Sequence, residues 1–161
     1  MEIREIGADG WRAMRDIRLT ALQDAPQAFA STHEREAAFT EADWVRRTGT
    51  GDNFLAYLPE LGAAPVGIVG GYEAEPGTIE LISLWVSPAA RGYGIGRALV
   101  EAVVGRACAS GMSRVHLWVA ESNHGARLLY ERCGFQPTGE RQPLPSNTQV
   151  TEIAMARSLD R

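Results

Sequence analysis

Residues 78–110 read TIELISLWVSP, then AARGYGIG, then RALVEAVVGRACAS, and the fold depends on how this stretch divides. The first piece is rich in Ile, Leu, Trp and Val, residues that suit a pleated, half-buried strand, and Pro88 ends it. The middle piece carries Gly92, Gly94 and Gly96 at every second position. In the third, Leu99, Val100, Val103, Val104, Ala107 and Cys108 recur with the period of one helix face. The spacing predicts strand, glycine-rich turn, helix.

Glycines that open a helix cost about 1 kcal/mol each relative to alanine, so they require a reason. Without Cβ atoms, successive backbone N–H groups can close directly on a ligand. The first amides of a helix lack intrahelical acceptors, and the helix dipole favours an anion there. Arg91 and Arg97 bracket the turn with positive charge. A tight turn with no ligand would also use glycine, but it would not need the flanking arginines and the helix start. Two phosphate-binding patterns are excluded. The dinucleotide pattern G-x-G-x-x-G/A fails, because Arg97 or Leu99 falls at its third glycine. The P-loop needs a lysine, and all 16 basic residues of this chain are arginine. That absence also removes a pyridoxal Schiff base and a kinase-type strand lysine.

Arg91-Gly92-Tyr93-Gly94-Ile95-Gly96 resembles R/Q-x-x-G-x-G/A, the pyrophosphate loop of the GNAT (Gcn5-related) N-acetyltransferases. Leu84-Trp85-Val86-Ser87-Pro88 is similar to that family's strand leading into the loop, and Asn123-x-x-Ala126-x-x-x-Tyr130-x-x-x-Gly134-Phe135 to its second signature. The resemblance is sharp over residues 78–135 and diffuse outside them. It implies the GNAT fold, of the α/β (α+β) class: a mixed central sheet of about seven strands, helices on both faces, and a central parallel pair that splays apart. It also implies acetyl-CoA as acyl donor. The backbone of Leu84, Trp85 and Val86 would pair with pantetheine like an added strand. The loop from Arg91 to Arg97, with Gly92, Tyr93, Gly94, Ile95 and Gly96, would hold the pyrophosphate, and Asn123, Ala126 and Tyr130 would meet the cofactor's reactive arm.

Acetyl transfer from a thioester to an amine needs a base for the amine proton, donors for the oxyanion and an acid for the thiolate. Glu80 is the candidate base. Regular alternation would place it on one face with Ile82, Leu84 and Val86, where a carboxylate is unusual and partial burial would raise its pKa. It also lies six residues before Val86, where several GNAT enzymes carry a catalytic glutamate. A solvated residue at a strand's start is the competing explanation. Tyr130 resembles the family tyrosine that faces the CoA sulfur, and a phenol suits protonation of a thiolate; a packed tyrosine on a buried helix face is the alternative. The oxyanion donor is expected from the backbone N–H of Val86 or a neighbour.

With 161 residues, an apolar content of 45% and a charged content of 22%, the chain suits one globular domain spanning 1–161. The net charge of −4 argues against a nucleic-acid surface. No apolar run approaches the ~20 residues of a membrane span, and MEIREIG is too charged for a signal peptide. Cys108 and Cys133 read as free thiols of a reducing cytoplasm. With His33, His116 and His124 they form no metal-ligand spacing, so no metal is expected.

Upstream, a short strand is expected over 2–6, a helix over 10–24 capped by Asp9, a helix over 42–47 capped by Thr40, and an antiparallel pair over 54–58 and 65–73. Downstream, 114–119 alternates as a strand parallel to the one at Thr78. Asn123 and Gly134 bound a helix, and 136–141 with 152–158 close the sheet. In this family the first two helices wall the acceptor site. Phe29, Ser31, His33, Glu34, Glu36 and Trp44 fall between them, and their acidic members would suit a cationic amine. Tyr72, Glu73, Arg141 and the loop at 143–147 are further candidates. Three functions remain open: acetylation of a small primary amine, acetylation of a protein N-terminus or side chain, and non-catalytic acyl-CoA binding. Homodimers are common in the family, but no stretch here specifies an interface.

Overall fold

The computed structural model describes residues 1–159. Strand β1 (Glu2–Ile6) leads into helices α1 (Trp11–Asp24), α2 (His33–Ala37) and α3 (Glu41–Thr48). Then come β2 (Asp52–Tyr57), β3 (Gly67–Glu75), β4 (Thr78–Val86), α4 (Ile95–Ala109), β5 (Arg114–Ala120), α5 (His124–Arg132), β6 (Gln136–Leu144) and β7 (Asn147–Ser158). The last two residues of the expected domain lie outside the described residues.

Local chemistry sets most boundaries. Thr40 and Asp43 form a reciprocal capping box: each side chain accepts from the other's backbone N–H (3.2 and 2.9 Å). Asp9 does not cap α1; it sits inside a 3₁₀ turn at 8–10, and Gly10 precedes the helix with no side-chain cap. At the end of α4, Gly111 adopts φ +75°, and the N–H groups of Gly111 and Met112 bond back to Cys108 and Ala107, the pattern of a left-handed glycine stop. Cys108, on the margin of the apolar stripe in the last turn, is exposed rather than packed.

The strands form one sheet in the order β1-β2-β3-β4-β5-β7-β6. All pairs are antiparallel except β4 with β5. Two apolar clusters cover the two faces. Leu99, Val100, Val103 and Val104 of α4 pack with Tyr130 of α5 over Ile79, Leu81, Val115 and Leu117. Met14, Ile17, Ala21 and Leu22 of α1 pack with Trp44 of α3 over Leu55, Ile68 and Trp85.

Two irregularities in β4 shape the site. First, the parallel pair holds only at Thr78↔Arg114, Ile79↔Val115 and Glu80↔His116. Beyond Glu80, β5 pairs on with β7 and no longer with β4, so the two strands part. Second, β4 bulges. Between the pairs Gly70↔Ile82 and Ile68↔Trp85, β3 advances two residues while β4 advances three, and Ser83 takes φ +65°. The extra residue inverts the alternation. Ile79 and Leu81 join the α4 cluster, yet four residues later Trp85 joins the α1 cluster. The expected sharing of a face by Glu80, Leu84 and Val86 is therefore wrong. Leu84 and Val86 pack toward α4, whereas Glu80 and Ile82 line a cavity with Arg18 of α1.

Candidate active site

The splay after Glu80 leaves one edge of β4 without a strand partner and opens a cleft between β4 and β5. A small cavity of about 90 Å³ lies there, bordered by Leu84, Val119, Asn123, Ala126 and Tyr130. The loop before α4 follows the end of β4. Gly92 and Gly94 have φ of +88° and +80°, which L-residues adopt at a cost. The first hydrogen bond of α4 runs from Ala98 N–H to Gly94 O (3.1 Å). The N–H groups of Ile95, Gly96 and Arg97 are thus left without an intrahelical acceptor. Gly96 is small for a different reason: a Cβ there would meet Leu129 Cδ2 at 3.1 Å, so glycine lets α4 approach α5.

The side chains of this stretch divide between structure and surface. Trp85 is buried and donates from its indole N–H to Asp24 (3.0 Å), and Ile95 is core, so each offers only its backbone to the cleft. Tyr93 and Arg97 are exposed. Arg91 donates to the Val86 carbonyl (3.2 Å) and approaches Asp24 (3.4 Å), which ties the loop to the end of β4. Asn123 caps α5 by accepting from Ala126 N–H (3.1 Å).

Glu80 is buried, with 9% of its surface exposed, which removes the reading of a solvated strand end. Burial drives its pKa up, and His116 opposes that rise. The opposing contact is close: Glu80 Oε2 lies 2.7 Å from His116 Nδ1, and His116 Nε2 lies 3.4 Å from Glu140 Oε1 near the surface. Buried carboxylate, imidazole and exposed carboxylate form a line from the cavity to solvent. Sequence reading weighs His116 only for metal ligation and does not single out Glu140. A signal is available: each of Glu80 and His116 is the third residue of its strand, so parallel pairing of those strands makes them neighbours.

Tyr130 is buried, and desolvation holds its phenol well above its usual pKa. It therefore keeps its proton at any working pH. Glu152, also buried, is raised by desolvation and accepts from Gln142 Nε2 (2.6 Å). It borders both the cleft and the neighbouring cavity, and sequence reading misses it.

That neighbouring cavity, of about 390 Å³, is walled by Phe29, Glu36, Tyr72, Glu80, Leu144 and Pro145 among others. Ser146 donates to the Phe29 carbonyl (2.6 Å), which latches the β6–β7 turn onto the segment before α2. Of the expected acceptor residues, Phe29, Ser31, Glu36 and Tyr72 reach the cavity, as does the turn at Leu144 and Pro145. His33 and Glu34 on α2 and Glu73 on β3 do not line it. Trp44 is core at 2% exposure, and Arg141 pairs with Glu121 elsewhere. Glu36 is not free to meet a cation. It accepts two hydrogen bonds from Arg18 (2.9 and 3.0 Å) and pairs with Arg47 (3.0 Å). Among the described residues, no group of His, Cys, Asp and Glu could hold a metal ion, and no helix is long and apolar enough to cross a membrane.

A splayed parallel pair, a bulged strand and a glycine-rich helix start thus come together in one sheet-and-helix arrangement. The model of the acetyltransferase (GNAT) family matches residues 11–135, and the chain belongs to that family. A mycothiol acetyltransferase of Jonesia denitrificans is 41% identical over 141 residues, covering 78% of this chain and 44% of that protein. One from Salinispora arenicola is 34% identical over 119 residues, covering 68% and 38%. The chain thus spans less than half the length of these relatives. Among solved structures, a GNAT acetyltransferase of Streptococcus pneumoniae superposes with a TM-score of 0.80 at 19% identity over 99% of both chains. A phosphinothricin acetyltransferase from Sinorhizobium meliloti, in complex with acetyl-CoA, superposes with a TM-score of 0.79 at 22% identity, over 98% of this chain and 88% of that one.

Proposed function

We propose that the protein transfers an acetyl group from acetyl-CoA to a primary amine of a small molecule by direct attack. The observation that carries this reading is the adjacency of two spaces. The β4–β5 cleft, with Tyr130 at its side, abuts a cavity bordered by Glu80, and Ile82, Ser83 and Trp118 line both. The residues fit the donor: unpaired β4 backbone for the pantetheine amides, and the free amides of α4 for the diphosphate.

In this reading Glu80 takes a proton from the amine, whose nitrogen bonds to the acetyl carbon. The carbon–sulfur bond breaks, and Tyr130 gives its proton to the departing sulfur. Burial brings Glu80 toward the working range of a base. It keeps Tyr130 protonated, while making its phenol a weaker acid than a solvated one. A small acceptor is favoured because the latched turn at Ser146 and the ring of Phe29 wall the cavity, whose volume of about 390 Å³ lies in the range of small-molecule sites. Replacing Glu80 by Gln is expected to lower kcat by about 10²–10⁴-fold with acetyl-CoA affinity unchanged. Turnover equal to the parent's would remove Glu80 from the base role.

A further inference from the structure

The acceptor cavity is electrostatically two-ended. Glu80 and Glu152 border it, and Glu152 also borders the β4–β5 cleft. On the other side it is lined by Arg18, Arg35 and Arg47. The same three arginines also line an adjoining cavity of about 600 Å³. Guanidinium groups stay charged under all physiological conditions, so the balance of partners at this end can be counted. Arg18 and Arg47 both spend their ion pairs on Glu36, which is buried. Arg35 has no acidic partner among the described residues; its hydrogen bond to Thr32 uses the backbone N–H. Three cationic groups therefore converge around one carboxylate, in a chain whose net charge is −4. The strain is visible at Arg47, which is destabilised as a cation by burial first, and then by repulsion from Arg18 and Arg35. Arg18 is already committed, with a third donor on Ser83 Oγ (2.6 Å) and its plane over the Phe29 ring at 4.7 Å. Arg35 is exposed and Arg47 half-buried, so both keep N–H donors accessible from the cavity.

We propose that the acceptor carries, besides its amine, a carboxylate that docks on Arg35 and Arg47: it is an amino acid or another small amine with the same zwitterionic pattern. This rests on the transferase reading above and names the substrate class of that site. The carboxylate neutralises the surplus charge through charge-assisted hydrogen bonds, and the ammonium end is turned toward Glu80 and Glu152. The arrangement reverses the expectation that acidic residues before α3 receive a cation, because Glu36 is consumed by arginine.

The test uses the full chain with acetyl-CoA and follows CoA release over matched sets: an amino acid, its carboxamide and its decarboxylated amine. The side chains are apolar, polar and acidic, with β-alanine and γ-aminobutyrate added. Acetyl-CoA binding is titrated in parallel by calorimetry. The expected result is a kcat/KM at least about tenfold higher for the acid than for its carboxamide, with the ratio falling toward one in Arg35→Gln and in Arg47→Gln. Equal or better turnover of the carboxamide or the decarboxylated amine overturns the inference. So does an acid preference that survives both substitutions, and in these cases the observed turnover keeps the transferase reading. Turnover of no carboxylate-bearing amine by a protein that binds acetyl-CoA also overturns the inference, and the transferase reading then stands only if another amine of the set is acetylated. Failure to bind acetyl-CoA removes the transferase reading, and the inference with it.

Discussion

The charge state of Glu80 is coupled to a residue 36 positions away in sequence. Alone, a carboxyl buried among Leu81, Tyr72 and Trp118 would be driven strongly toward its neutral form; His116 at 2.7 Å restrains that rise. Replacing His116 by Ala removes the restraint, so the acidic limb of the kcat/KM profile is expected to move to higher pH. A limb that stays in place would mean that it does not report a Glu80 restrained by His116. Tyr130 makes the complementary prediction. Its phenol carries a proton that burial will not release, and Tyr130→Phe keeps the ring and its packing on Phe135, 5.9 Å away between centroids. The substitution is expected to lower kcat by about 10²-fold, with thermal stability near the parent's. Unaltered turnover would make Tyr130 a packing residue only.

At the scale of elements, the turn into α4 and the bulge in β4 divide the work of the site. The turn is legible: three spaced glycines, two arginines and a helix face predict an anion seat from local rules alone. Gly94→Asp tests it. Aspartate tolerates the left-handed backbone better than most residues, and a Cβ at Gly94 meets no atom within 4 Å. The variant should therefore fold and yet place a negative charge beside the diphosphate. Acetyl-CoA affinity is expected to fall at least about tenfold by calorimetry, and normal affinity in the folded variant would move the diphosphate elsewhere. The bulge is not legible. LISLWV continues a strand pattern without interruption, and neither Gly nor Pro marks the extra residue at Ser83. Its position depends on register against β3, which a single strand does not carry.

At the scale of the molecule, the α1–α3 layer is pinned to the sheet by a buried charge cluster as well as by apolar packing. Glu36 links α2 to Arg18 of α1 and Arg47 of α3, and Arg18 continues to Ser83 in the bulge. Burial pushes the Glu36 carboxyl up, but the hydrogen bonds and charge of Arg18, with the charge of Arg47, outweigh it and hold its pKa below the usual value. Because the folded pKa lies below the unfolded one, this contribution is complete above the ordinary carboxyl value of about 4.3 and is lost as pH falls through the folded value. Glu36→Gln leaves a buried guanidinium short of its counter-charge and is expected to cost about 3 kcal/mol at neutral pH, read by urea unfolding. The difference from the parent should shrink toward the acid end. A difference that persists undiminished at acid pH would place the cost in packing rather than charge.

The sequence by itself determined what is periodic or contiguous: the strand–turn–helix over 78–110, the Thr40 cap of α3, the cap and stop of α5, and the strand parallel to β4. These follow from short-range rules in which a residue's neighbours lie within a few positions. Only the tertiary structure decided that Glu80 meets His116, that one extra residue turns β4 over so that Glu80 faces α1 instead of sharing a face with Leu84, and that Glu36 is locked between two arginines. Each of those facts depends on the register between segments distant in the chain, and side-chain alternation of period two makes a one-residue shift in register reverse every face.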